Sequence, residues 1–163
     1  MATEITQNMK RILAGRQFRG ATVSPVVPVG ERGFIRYTNP VGSGKRLAFL
    51  ETECSPDLAS FIYMGVTETL SIMTAAPGGS IARSDNALLD TGVCVLEYHS
   101  EPSGTLTPYL PAANFHSINT AVDQNVQKLM HNSPQIIIPG QGIVMYCDLD
   151  TARLTANALW YEL

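Results

Sequence analysis

A chain of 163 residues, 45% of them hydrophobic, fits one domain that can bury a core without the help of a metal or a disulfide. Its charged fraction of 15% lies well under the usual value of about 25%, which leaves much of the surface uncharged and suited to subunit contacts. The net charge of −3 offers no broad basic patch for nucleic acid, and no apolar run approaches the ~18 residues of a membrane span.

The first twenty residues read as a short arm. Ile5, Met9, Ile12 and Leu13 fall on one face of a helix, and Gly15 and Gly20 would end it. Lys10, Arg11, Arg16 and Arg19 stand against Glu4 alone between residues 1 and 19, a net of +3, so the remainder carries −6. A basic arm on an acidic body suggests that these four cations contact an acidic neighbour; the simpler reading is a solvated terminus.

From residue 21 to 163 the texture is that of a single β domain. Pro25 and Pro28 mark 21–29 as an extended edge segment or linker. Residues 33–38 (GFIRYT) and 46–53 are strand-like, and the Asn39–Gly44 turn formers between them predict a hairpin. Residues 61–74 form a longer run in which Gly65 suggests a bulge or break. Pro77-Gly78-Gly79 is a turn, 83–90 is loop-like, and 91–99 (TGVCVLEYH) is a strand. Residues 105–120 are irregular. The stretch 126–130 reads as a strand, although 122–130 would also serve as a short helix, and 135–138 is a separate β-branched run. After the Pro139–Gly142 turn, 143–149 and 156–163 close the chain, with Trp160 in the last strand. About eight short strands divided by Gly, Pro and Asn turns predict an all-β fold, an antiparallel sandwich of jelly-roll type.

The residues that could carry chemistry do not assemble into a reaction centre in the sequence. Gly42-Ser43-Gly44-Lys45 looks like part of a phosphate loop. The positions that would complete it hold Asn39 and Arg46, however, and a strand rather than a helix follows. The simpler expectation is a hairpin loop exposing Lys45 and Arg46. His99 lies between Glu97 and Glu101, but the two-apart histidine pair of a metal-binding barrel is missing, and His116 and His131 sit in weakly patterned segments. Asp148 and Asp150 read as turn residues, and Tyr63, Tyr98, Tyr109 and Tyr161 as core or interface residues rather than a sugar-stacking platform. Cys54, Cys94 and Cys147 are odd in number and widely spaced within apolar runs, so buried free thiols and a reducing compartment are expected. No leader-like apolar segment precedes a cleavage site. No catalytic residue, metal or cofactor is therefore expected.

Two stretches taken together resemble a known class. Phe34–Leu47 contains Thr38-Asn39-Pro40-Val41-Gly42-Ser43-Gly44-Lys45, and Ile138-Pro139-Gly140-Gln141-Gly142-Ile143 is followed by the terminal Ala158–Leu163. This pattern resembles small virion proteins of tailed bacteriophages, the capsid decoration or cement proteins and related β-sandwich parts of tails and fibres. The likeness covers about a quarter of the chain, and each motif is physically a turn. It implies a non-enzymatic jelly-roll protein that assembles in the host cytoplasm, forms a homotrimer and binds the major capsid protein on the capsid surface. From the few cations and the short apolar runs, no nucleic-acid or membrane partner is expected. The alternatives are a tail or fibre module that binds host-surface glycans, in which Tyr109 would matter, and a metal-dependent barrel enzyme.

Overall fold

The computed structural model describes residues 16–58, 61–68, 74–75, 79–83, 92–102, 113–119, 127–147 and 151–163. Among these residues there is no helix, and hence none long and apolar enough to cross a membrane. The described residues form eleven strands: β1 (Gln17–Val23), β2 (Glu31–Thr38), β3 (Leu47–Pro56), β4 (Phe61–Glu68), β5 (Thr74–Ala75), β6 (Ser80–Arg83), β7 (Val95–Pro102), β8 (Ala113–Asn119), β9 (Gln127–Ile137), β10 (Gln141–Cys147) and β11 (Leu154–Glu162). They form two antiparallel sheets, a first in the order β6-β1-β11-β3-β9 and a second in the order β5-β7-β2-β10-β4-β8. The protein is an all-β sandwich.

The pairing is nested. The first strand lies beside the last, β1 with β11, and β2 lies beside β10, β3 beside β9 and β4 beside β8. The chain is thus doubled back on itself, and successive pairs are laid into alternate sheets. Cross-links β11–β3 and β10–β4 join neighbouring pairs into continuous sheets.

This arrangement corrects the expected hairpin at 33–53. β2 belongs to the second sheet and β3 to the first, so residues 39–46 carry the chain from one layer to the other. The Pro139-Gly140 turn does the same between β9 and β10. Turn residues fix a local change of direction but not the partner of the next strand, which is decided by pairing over more than 70 residues. The sandwich also begins earlier than expected: residues 17–20 are part of β1, hydrogen-bonded between β6 and β11, so the boundary at residue 21 moves to Gln17. The segments around 127–130 and 135–138 merge into one strand, β9, against β3. The strand expected at 91–99 is β7, which runs over Val95–Pro102, and Arg83 ends β6. The irregularity expected at Gly65 is present as a register shift against β8 between Met64 and Gly65.

Period-two alternation explains the core. In β1, Phe18, Gly20 and Thr22 are buried while Arg19, Ala21 and Val23 are exposed. Trp160 of β11 is fully buried between the layers, with ring centroids 5.5 Å from Phe49, 6.0 Å from Tyr37 and 6.1 Å from Phe18. Each such side chain contributes roughly 1.5–3 kcal/mol by burial. The Tyr37 hydroxyl crosses from the second sheet to share its proton between the carbonyls of Gly20 (3.1 Å) and Ala156 (3.0 Å) in the first. The second sheet is buried on its other face too. Phe34, Val144 and Tyr146 form a cluster there, with Tyr63 stacked on Tyr146 at 4.9 Å and Tyr146 on Phe34 at 5.2 Å.

Candidate functional sites: a basic-rimmed apolar end and an outer-sheet cleft

One end of the sandwich is organised by Asn39, a fully buried polar residue. Its backbone N–H donates to the Gln141 carbonyl (2.8 Å) and its carbonyl accepts from Gly140 N–H (2.9 Å). Its side-chain Nδ2 donates to the carbonyls of Lys45 (2.9 Å) and Ile137 (3.1 Å), and its Oδ1 accepts from Ser43 Oγ (2.7 Å). Gly42 and Gly44, with φ of 80° and 68°, give the loop the left-handed turns that other residues resist. At the loop's far side Arg46 and Leu163 exchange two backbone hydrogen bonds, of 3.1 and 2.9 Å. The three segments that carry the sequence resemblance therefore meet at one place.

What this end presents is apolar with a cationic margin. Val41 is 78% exposed, Leu163 54% and Ile138 48%, with Lys45 and Arg46 exposed beside them. A Cβ on Gly140 would stand 3.5 Å from Val41, so the two turns are in contact. These exposed aliphatic side chains stand outside the core of the domain.

The second feature is a cleft of about 490 Å³ on the outer face of the first sheet. In register, Arg19 stands opposite Leu159 and Leu159 opposite Glu51; in the next row Ala21 stands opposite Asn157 and Asn157 opposite Glu53. On the other flank Ala82 and Ser80 of β6 face Arg19 and Ala21. The small side chains of Ala21, Ala82 and Ser80 leave the depression, and Arg19, Glu51 and Glu53 are among its polar lining. A bulge at Leu50 places the two carboxylates: Phe49 points into the core, the register slips between Phe49 and Glu51, and Thr52 and Cys54 then take the inward positions. Asn157 Nδ2 donates to Glu53 Oε1 at 2.9 Å and holds that carboxylate in place.

Of the four candidate arm residues, only Arg16 and Arg19 are among the described residues. Lys10 and Arg11 lie outside the described residues. Arg16 is exposed at the start of β1, where its carbonyl accepts from Glu162 N–H at 3.0 Å, and Arg19 lines the cleft. Lys45 and Arg46 are exposed in the loop before β3. Tyr109, Asp148 and Asp150 lie outside the described residues. Among the described residues no group of three or more His, Cys, Asp or Glu is placed to hold a metal. His99 is tilted against Phe34 at 6.5 Å, and Glu97 accepts a hydrogen bond from Thr38 Oγ1.

All three cysteines are free and buried. Burial pushes the Cys54 thiol far up, helped by Cys147 and Glu53, and pushes Cys94 up with help from Glu162 and Glu97. A thiol that stays protonated is a poor nucleophile and metal ligand. Tyr37 is raised by burial, with smaller effects from Cys94, Cys54 and Glu53.

No protein-family model matches the chain, and a search of curated proteins finds no match.

Proposed function

We propose that this chain is a non-enzymatic structural protein of a phage virion, a capsid decoration protein that binds the lattice through the end built around Asn39. The observation that carries the reading is the exposed group Val41, Ile138 and Leu163 with Lys45 and Arg46 beside it. Its chemistry fits an apolar patch with an acidic margin on the major capsid protein. Apolar contact would give most of the affinity, and the two cations would set orientation and encounter rate. The nested strand pairing, first with last and second with next to last, supports a jelly-roll reading of the sandwich. The resemblance in the Asn39 loop, the Pro139-Gly140 turn and the last strand supports the virion reading.

A homotrimer on the capsid surface would multiply a modest contact by symmetry. Three copies rising together dissociate far more slowly than one. Assembly would take place in the host cytoplasm, in keeping with three free buried thiols.

Two measurements test the proposal. Light scattering should give a mass near three times the 17.7 kDa of the chain. The purified protein should also sediment with cognate capsids that lack decoration. Val41→Asp with Ile138→Asp should abolish capsid binding while leaving the fold intact, because both positions are exposed. Lys45→Glu with Arg46→Glu should slow association and reduce its salt dependence. Failure of the unaltered protein to bind such capsids would reject the function, and full binding by the Val41, Ile138 variant would reject the surface.

A further inference from the structure

The cleft on the outer face of the first sheet lies apart from the Asn39 end, and its chemistry is different. We propose that it is a binding site for a saccharide, either neutral or bearing an amino group. Its volume, about 490 Å³, is within the range that holds small ligands. A second depression of about 150 Å³ shares Ala21, Ser80 and Asn157 with it and continues towards Val23 and Thr155. The two together make a groove suited to a linear oligosaccharide.

The lining selects the ligand class by elimination. A simple anion would meet two carboxylates, Glu51 and Glu53, against one guanidinium, Arg19. An apolar ligand would strand those three charges without water. A bare metal ion lacks a third ligand among the described residues. Sugar hydroxyls both donate and accept, so one ring can donate to Glu51 and Glu53 and accept from Arg19 and Ser80. Arg19 and Glu51 lie in the same row two strands apart, which sets their Cα atoms about 10 Å from each other, a gap that a sugar ring spans with its hydroxyls. Between them Leu159 offers an apolar surface for the C–H face of a ring.

Two features set the carboxylates in the cleft. The bulge at Leu50 turns them outward on a strand whose earlier residues, Leu47 and Phe49, serve the core. The Asn157 amide then fixes Glu53, which lowers the ordering cost of binding.

The test is a titration of the labelled full chain by amide chemical shifts, with glucose, glucosamine, N-acetylglucosamine and their β1,4-linked disaccharides, and with arginine amide for comparison. At least one saccharide should shift the amides of Arg19, Ala21, Glu53 and Asn157. Ala21→Trp, at an exposed position, should fill the cleft and remove the shifts. Glu53→Gln should weaken binding about tenfold, as loss of one charge-assisted hydrogen bond implies. If Ala21→Trp does not fold, Glu53→Gln decides alone. Silence of every saccharide at high millimolar concentration, shifts that persist unchanged in the variants, or binding of arginine amide alone would each overturn the proposal. Capsid sedimentation of Ala21→Trp separates this site from the Asn39 end, since decoration should be unaffected.

Discussion

The carboxylate of Glu162, on the last strand, accepts the Val93 amide N–H at 2.6 Å and ties the loop before β7 to the first sheet. The adjacent Gly92 has a φ of 64°, and a Cβ there would overlap Glu162 Oε1, stand 2.9 Å from Glu162 Cδ and 3.0 Å from Phe18. Gly92→Ala is therefore expected to destabilise by at least about 2 kcal/mol, from left-handed strain and overlap together. Glu162→Ala leaves the half-buried Val93 amide without its acceptor, at about 1–2 kcal/mol. The double variant should be less unstable than the sum, because removing the carboxylate makes room for the new methyl group. Urea midpoints of the four proteins check this, and strict additivity would contradict it.

Gly20 is the floor on which Trp160 rests. A Cβ at this position would lie 2.8 Å from Tyr37 Cε1 and 3.0 Å from Trp160 Cζ3, both in rings that are themselves packed. Gly20→Ala should cost about 1–3 kcal/mol by overpacking and displace the indole. Trp160 is the only tryptophan in the chain, so its emission reports the change directly. A red-shifted emission with a lowered melting temperature is the expected outcome; an unchanged spectrum would mean that β1 moves aside without cost.

What the sequence shows and what it hides divide along the distance over which each feature is decided. Phe18, Gly20 and Thr22 alternating with Arg19, Ala21 and Val23 already describe a half-buried strand, yet Gly15 and Gly20 suggested a helix end and hid it. Positive-φ glycines at 42, 44 and 140 were legible as turns. That both turns change sheets was not, because nothing near Asn39 records that Thr38 pairs with Gly142 and Leu47 with Ile137. The cleft was hidden for the same reason. Arg19 read as an arm cation and Glu51 and Glu53 as strand residues; register with Leu159 and Asn157, more than 100 positions away, brings them together. The one local clue was parity: Leu47, Phe49, Thr52 and Cys54 cannot all face one side of a regular strand, which calls for a bulge between Phe49 and Thr52.

Stability should fall in alkali. Cys54 and Cys94 are held protonated in the fold by burial, against an ordinary value of 9.0, and Tyr37 likewise against 10.0. Below pH 9 the thiols are protonated in both states and their contribution is intact. Above it the unfolded chain loses protons that the folded chain keeps, so stability drops by up to about 1.4 kcal/mol per pH unit for each such group. Urea unfolding between pH 7 and 10.5 measures the slope. Cys54→Ala should reduce it, at the expense of a cavity. The same burial predicts slow reaction with thiol reagents at pH 8 and release of all three thiols in denaturant; a fast native reaction would contradict it.

Asn39 links the fold to the proposed contact surface, so its substitution separates the two. Asn39→Ala removes the donors to the Lys45 and Ile137 carbonyls and the acceptor for Ser43, and takes the amide donor from the buried Ile137 carbonyl, an expected loss of about 2–3 kcal/mol. Asn39→Asp keeps the shape but turns an amide donor into a carboxylate facing two carbonyl oxygens. Repulsion and burial raise the folded pKa of that carboxyl above its unfolded value of about 3.9. Its protonated form donates one hydrogen bond, so the Asp variant is most stable at low pH and loses stability as pH rises through the folded pKa. Compared with the unaltered protein at each pH, Asn39→Asp should be close near pH 4 and weaker by some kcal/mol at pH 7, while the Asn39→Ala difference should stay flat. Capsid occupancy of the Asp variant should follow the same pH profile, since the loop that carries Val41, Lys45 and Arg46 is held by the same two carbonyls. Occupancy that stays constant while stability falls would mean that the loop keeps its shape without the Asn39 amide.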